Sequence, residues 1–224
     1  MKTVLLTRSK EDNLEIIKAL PKDKLHYIFS PLVKYKSLEI SSDINNYTDI
    51  IITSKYAARM LASHNILGKK NIWLVGKSSA EILKDRFQVL YVAANIEELI
   101  QKIPEEIYYQ TIYLSANEIT KVLPVEIKRE IIYEVEYAED LQQIEEIHKG
   151  INFILLYSSN STNRLIELFT KNNLLPVLAA STAIVISKKV ADIIRFFVKN
   201  VIYCDEGKPE QMLELLSDDE KYRN

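Results

Sequence analysis

Six short stretches place hydroxyl or amide side chains directly after an apolar run: Thr7-Arg8-Ser9, Thr53-Ser54-Lys55, Lys77-Ser78-Ser79, Ser115-Ala116-Asn117, Ser158-Ser159-Asn160 and Ser187-Lys188-Lys189. In four of them a Lys or Arg stands among the hydroxyls. Where such a stretch opens a helix, the first backbone N–H groups have no intrahelical partner, and the helix dipole adds partial positive charge. An end of this kind holds an anion with few basic side chains. Taken singly, Ser, Thr and Asn are preferred N-caps that stabilise a helix by about 1 kcal/mol with no ligand at all. Six together, on two similar halves of one chain, point to an anion carrying several carboxylates or phosphates.

Other chemistries have little to work with. The four glycines, Gly68, Gly76, Gly150 and Gly207, form neither GxGxxG nor GxxxxGK, so the usual glycine-rich phosphate cradles are absent. His26, His64 and His148 have no partner at metal-ligand spacing, and no GxSxG elbow presents a nucleophile. No metal site is expected. Glu136, Glu139 and Asp140 form a charge run of the kind that faces solvent. Tyr133 and Tyr137 lie on one face of an alternating segment, and a phenol with a pKa near 10 donates a proton at pH 7 but is a poor base. With 13 tyrosines in 224 residues, an aromatic on a strand is more often packing than catalysis.

The bulk properties narrow the class. A net charge of −2 gives no nucleic-acid footprint. The longest apolar runs are strand-sized, against roughly 20 residues for a membrane span. The opening MKTVLLTRSKEDN turns polar too early for a signal peptide. The single Cys204 excludes an internal disulfide and fits a reducing compartment. A soluble cytoplasmic protein is the expectation.

Positioning six exits requires strands that alternate with helices. Apolar runs at Val4–Leu6, Tyr27–Phe29, Ile50–Ile52, Ile72–Val75, Val89–Val92, Ile112–Leu114, Ile131–Val135, Phe153–Leu156, part of 177–186, and Val201–Tyr203 read as strands. Amphipathic stretches such as EDNLEIIKAL, IEELIQKI and NRLIELFTKNN separate them. This alternation implies parallel sheets covered on both faces. From Asp49 the chain runs strand, Thr-Ser, helix, then IWLVGKSSAEIL; from Asn152 it runs strand, Ser-Ser, helix, then AIVISKKVADII. Two five-stranded domains accommodate this repeated plan better than one ten-stranded sheet. The stretch SPLVKYKSLEISSDINNY and the alternating IIYEVEYAED read as two connections, which makes the first domain discontinuous.

The ordered set of motifs resembles the uroporphyrinogen-III synthase family across essentially the whole chain. It comprises VLLTR, SPLVKYKSLEI, DIIITSKYAARML, IWLVGKSSAEIL, VAANIEEL, IYLSANEITKVLP, EVEY, FILLYSSNSTNRLIELF, AIVISKKVADII and CDEGKPEQMLELL. The resemblance implies an α/β fold of two flavodoxin- or Rossmann-like domains with parallel sheets, joined by a two-stranded linker. Residues 1–34 with 140–224 would form one domain and 40–134 the inserted one, with linkers at about 35–39 and 135–139. It further implies a monomeric cytoplasmic enzyme that needs no cofactor and binds neither nucleic acid nor membrane. Its substrate would be the linear tetrapyrrole hydroxymethylbilane, with eight carboxylates, held between the domains. The enzyme expels the terminal hydroxyl and closes the macrocycle through a spiro-pyrrolenine, inverting the last ring. Tyr137 stands where the family has the tyrosine proposed to assist hydroxyl departure. Arg8, Thr53, Ser54, Lys55, Lys77, Ser78, Ser79, Ser115, Asn117, Ser158, Ser159, Asn160, Ser187, Lys188 and Lys189 would bind substrate. The sequence departs from the family at Ala138-Glu139, where a threonine is usual, at Ala116, where a glycine is frequent, and at SKKVA in place of a Gly-Pro-Thr-Thr-Ala-like turn. A non-catalytic two-domain module binding an anion or other small ligand is the alternative.

Overall fold

The computed structural model describes residues 1–20, 25–41, 43–66, 68–204 and 209–217. Gly207 and the beginning of the CDEGKPEQ segment after Cys204 lie outside the described residues. The chain opens with β1 (Lys2–Leu6), α1 (Lys10–Ala19), β2 (Leu25–Phe29) and β3 (Val33–Ser37). It continues through β4 (Asp49–Ile52), α2 (Lys55–Ser63), β5 (Asn71–Val75), α3 (Lys77–Leu83), β6 (Gln88–Ala93), α4 (Ile96–Lys102), β7 (Thr111–Ala116) and β8 (Lys128–Tyr137). The remainder is α5 (Ile144–His148), β9 (Phe153–Leu156), α6 (Ser159–Lys171), α7 (Leu175–Ala180), β10 (Thr182–Val185), α8 (Lys188–Ile194), β11 (Asn200–Tyr203) and α9 (Pro209–Ser217). None of the described helices is long and apolar enough to cross a membrane.

The chain divides into two compact units, residues 1–34 with 136–224 and residues 35–135, and it passes from one to the other within β3 and again within β8. The first unit holds a sheet of order β11-β10-β9-β1-β2, parallel throughout. Numbered one to five along the chain, its strands run 2-1-3-4-5, the flavodoxin order. Successive side chains of a strand point to opposite faces. Leu5, Ile154 and Leu156 therefore pack with Leu165, Phe169 and Ile194 on one side, while Val4, Leu6 and Leu155 pack with Ile16 and Met212 on the other. Helices thus cover both faces, and the strands are apolar on both, as a buried parallel sheet requires.

The second unit has six strands in the order β3-β8-β7-β4-β5-β6, with β8-β7, β7-β4, β4-β5 and β5-β6 parallel. Without the edge strand β3 the order is 3-2-1-4-5, the Rossmann arrangement. Ile50, Ile52, Ile72 and Leu74 pack against Ala57, Leu61 and Leu83 of α2 and α3, and Ile51, Trp73 and Tyr113 pack against Leu99. Gly76, at the mouth of α3, has φ +86°, a conformation that strains any residue with a Cβ.

Two expectations are corrected. The connection expected at about 35–39 overlaps β3, which joins the second sheet as an edge strand, so that sheet has six strands rather than five. Val33-Lys34-Tyr35-Lys36 does alternate, but the run is short, carries two exposed lysines as edge strands commonly do, and leads straight into a polar stretch. The alternation expected over Ile131, Tyr133, Val135 and Tyr137 breaks in β8: Ile131 is 40% exposed, while Ile132 and Tyr133 are both buried. Ser115 pairs with Ile131 but Ala116 with Tyr133, and the extra residue flips the side chains beyond it to the opposite face. The strand expected in part of 177–186 is β10, and the rest of that run is the end of α7, a helix that begins at Leu175-Pro176, where proline suits a first turn.

Candidate functional site

Strand order selects among the six exits. In an open parallel sheet, ligands bind outside the carboxyl ends of the strands where the winding direction reverses. That point lies between β4 and β7 in the second unit and between β1 and β9 in the first. Thr53-Ser54 and the Ser115–Asn117 turn flank the one, and Thr7–Ser9 and Ser158–Asn160 flank the other. Lys77–Ser79 and Ser187–Lys189 follow strands away from the reversals.

In the second unit the reversal opens into a cavity of about 400 Å³, lined among others by Thr53, Ser54, Ile96, Tyr113, Ala116 and Tyr133. Among the described residues its lining includes the exposed carboxylates Glu97 and Glu118 and no Lys or Arg. Ser54 is the N-cap of α2, its Oγ accepting from the N–H of Ala57 at 3.0 Å. The Tyr133 hydroxyl donates to the same Oγ at 2.8 Å. The Thr53 and Tyr113 hydroxyls are 2.8 Å apart and share a proton in one direction or the other. Tyr133 packs against Tyr56 at 4.8 Å and edge-on to Tyr35 at 5.7 Å between centroids. Burial pushes the Tyr133 phenol up to about 12.

Arg129, which the sequence reading left out, organises the β7 exit. Its Nε donates to Ser115 Oγ at 2.9 Å, and its Nη2 donates to the carbonyls of Ala116 and Asn117 at 2.7 and 2.9 Å. Ser115 is buried and donates to the Ala116 carbonyl, while Asn117 Oδ1 accepts from Val135 N–H. Both residues are thus engaged in shaping the turn. Lys55 opens α2, half-buried. Lys77, Ser78 and Ser79 all lie inside the first turn of α3, which Gly76 caps without a side-chain bond; Lys77 and Ser78 are exposed and Ser79 is buried.

In the first unit Ser158 caps α6, accepting from Ser161 N–H at 3.2 Å. Two residues on, exposed Asn160 donates through Nδ2 to the Tyr137 hydroxyl oxygen at 3.0 Å. Tyr137 is the last residue of β8, so the structure joins it to the SSN stretch. Ser159 is half-buried beside them. Across the reversal, Thr7 Oγ1 donates to the Leu155 carbonyl at 2.6 Å and ties β1 to β9. Arg8 pairs with buried Asp12 at 2.7 Å and lies over the Tyr157 ring at 4.7 Å. Burial pushes the Tyr157 phenol up strongly, and its hydroxyl has no hydrogen-bond partner among the described residues. Ser187 caps α8, with Lys188 and Lys189 exposed in its first turn. Among the described residues no three His, Cys, Asp or Glu side chains form a group that could hold a metal ion.

Sequence reasoning passed over Tyr113 and Arg129, which carry no motif, and weighed Tyr133 as packing. The one signal available was their place on β7 and β8, the two strands that continue from the reversal.

A sequence model of the family described as "Uroporphyrinogen-III synthase HemD" matches residues 3–214. An uncharacterized protein of Rickettsia prowazekii (strain Madrid E) is 40% identical over 272 aligned positions, covering 99% of this chain and all of that protein. Among solved structures, uroporphyrinogen-III synthetase from Helicobacter pylori 26695 superposes with a TM-score of 0.63 at 17% identity, over 96% of this chain and 98% of that one. A mutant uroporphyrinogen III synthase from the extremely thermophilic bacterium Thermus thermophilus superposes with 0.54 at 14% identity, over 99% and 98%. These two likenesses bear on the fold, and the match over residues 3–214 bears on descent. The chain belongs to the uroporphyrinogen-III synthase family.

Proposed function

We propose that this chain closes hydroxymethylbilane into uroporphyrinogen III, using Tyr137 as its proton donor and the strand exits at the two reversals to hold carboxylates. The observation that carries this reading is the family match over residues 3–214. The strand orders support it, because each unit brings hydroxyl-rich exits together where an α/β sheet takes ligands.

The reaction asks for little acid–base work. Electrons of the terminal pyrrole nitrogen expel hydroxide from the CH₂OH group, and a phenol proton converts the leaving group to water. Tyr137 supplies that proton, and the hydrogen bond from Asn160 stabilises the charge that develops on its oxygen. The last ring then attacks through its already substituted carbon to give the spiro-pyrrolenine, whose rearrangement inverts that ring. Free closure favours attack through the unsubstituted carbon, so the protein's main task is to fix the chain's conformation. Ser158 and Ser159 hold carboxylates on the α6 end, and Ser54 and Thr53 on the α2 end. Lys188 and Lys189 add charge where the family more often has a neutral turn. Arg8, already paired with Asp12, contributes through the N–H groups that pair leaves over. The enzyme acts in the cytoplasm as a monomer, without an organic cofactor.

The test supplies purified protein with hydroxymethylbilane generated in situ by the preceding deaminase, then oxidises and separates the products. Type III uroporphyrin that increases with protein concentration is expected. Type I product alone, at the rate seen without protein, would refute the synthase reading and favour a non-catalytic anion-binding module.

A further inference from the structure

The hydroxyl network at the β4 exit has a direction, and that direction determines which ligand groups the cavity takes. A hydroxyl oxygen offers two acceptor positions and one proton. Ser54 Oγ receives Ala57 N–H at 3.0 Å and Tyr133 O–H at 2.8 Å, so both acceptor positions are filled from inside the protein. What Ser54 presents to the cavity it lines is its proton. Tyr133 is held in this arrangement by its surroundings: it is 5% exposed, and its ring is packed by Tyr35 and Tyr56. A buried phenol keeps an acceptor within reach, and here that acceptor is Ser54. Among the described residues Glu97 and Glu118 line the cavity and no Lys or Arg does, so an acceptor entering it depends on neutral donors such as this one.

We propose that Tyr133 is a positioning residue that fixes Ser54 as a hydrogen-bond donor, making this cavity a site for a carboxylate of the substrate. The inference rests on the synthase reading for the identity of that carboxylate, but not for the direction of the bond. Without Tyr133, Ser54 regains an open acceptor position and its rotor is no longer set for the incoming oxygen. A donor aimed at a charged acceptor makes a stronger hydrogen bond than one between neutral groups, so the loss is measurable.

Ring closure removes only water, and the later six-electron oxidation of uroporphyrinogen III by an added oxidant leaves its side chains untouched, so uroporphyrin III keeps the eight carboxylates of the substrate and serves as a binding probe. Its affinity would be measured by fluorescence for the unmodified chain, Tyr133→Phe, Ser54→Gly and the double variant. Glycine is chosen at position 54 because it starts a helix nearly as well as serine. Urea denaturation of each variant confirms that the fold is retained. Tyr133→Phe is expected to weaken binding about three- to tenfold, the range of one hydrogen bond. In the Ser54→Gly background the same substitution should have almost no further effect, since the group it positions is gone. In turnover, Tyr133→Phe should raise KM by a similar factor and leave kcat within about twofold. Equal losses in both backgrounds, no loss in either, or no binding to the unmodified chain would overturn the inference. Binding that follows this pattern without type III product would leave it standing and count against the synthase reading instead.

Discussion

At the scale of single residues, Tyr137 ends β8 with its hydroxyl oxygen accepting from Asn160 Nδ2 at 3.0 Å. The threonine that the family resemblance leads one to expect one or two residues on is absent, with Ala138-Glu139 there instead; Ala138 is buried, its N–H is taken by the Leu32 carbonyl at 2.9 Å and its carbonyl accepts from Arg164 Nε at 2.6 Å. The local backbone is therefore held without that threonine. Because the pyrrole nitrogen drives hydroxide departure, Tyr137→Phe should lower kcat by about ten- to a hundredfold, at or below the usual range for one general acid, rather than abolish turnover. KM should change little. Single-turnover kinetics would check this, and a complete loss of activity in a folded variant would mean that the phenol carries more of the chemistry than leaving-group protonation. Tyr137 was legible in the sequence as a tyrosine at the end of an alternating segment. Its partner was not, since Asn160 lies 23 positions away and the two meet only through the fold.

At the scale of elements, the caps divide structural from ligand-binding roles. Ser54, Ser158 and Ser187 each cap a helix with their own side chain, as the preference for Ser at that position anticipates. Ser158 permits a clean separation. Ser158→Ala removes the cap and should cost about 1 kcal/mol in urea denaturation, together with a higher KM. Ser158→Asp caps equally well and favours the helix dipole, so its stability should match that of the unmodified chain. Its carboxylate nonetheless repels a carboxylate ligand, and KM should rise by more than in the alanine variant. An unchanged KM in Ser158→Asp would show that Ser158 is a cap and nothing further. In β8 the alternation was visible in the sequence, but the register shift against β7 that reverses its faces comes from strand pairing.

At the scale of the molecule, each unit buries a tyrosine whose phenol is pushed upward by desolvation: Tyr133 in one, to about 12, and Tyr157 in the other. Below pH 10 these phenols are protonated in both folded and unfolded chains, and their contribution to stability is complete. As pH rises from about 10 to 12, the unfolded chain releases the proton while folded Tyr133 keeps it, so stability falls by up to about 1.4 kcal/mol per pH unit for that group. Urea midpoints measured across this interval should decline steeply, and Tyr133→Phe should decline less steeply. Identical slopes for the two proteins would place the alkaline sensitivity elsewhere.

The sequence by itself determined the α/β class and the repeated strand–hydroxyl–helix plan. These follow from local periodicity and from residue types that favour caps, both written in neighbouring positions. Only the tertiary structure places some of the exits beside a reversal of winding, because such a reversal is a property of strand order, and strand order is set by pairing between segments far apart in the chain. The same holds for the Arg129 brace, the addition of β3 to the second sheet and the direction of the Tyr133–Ser54 bond. Each joins residues whose spacing along the chain carries no signal, and each is fixed by the need to satisfy buried polar groups once the sheets have formed.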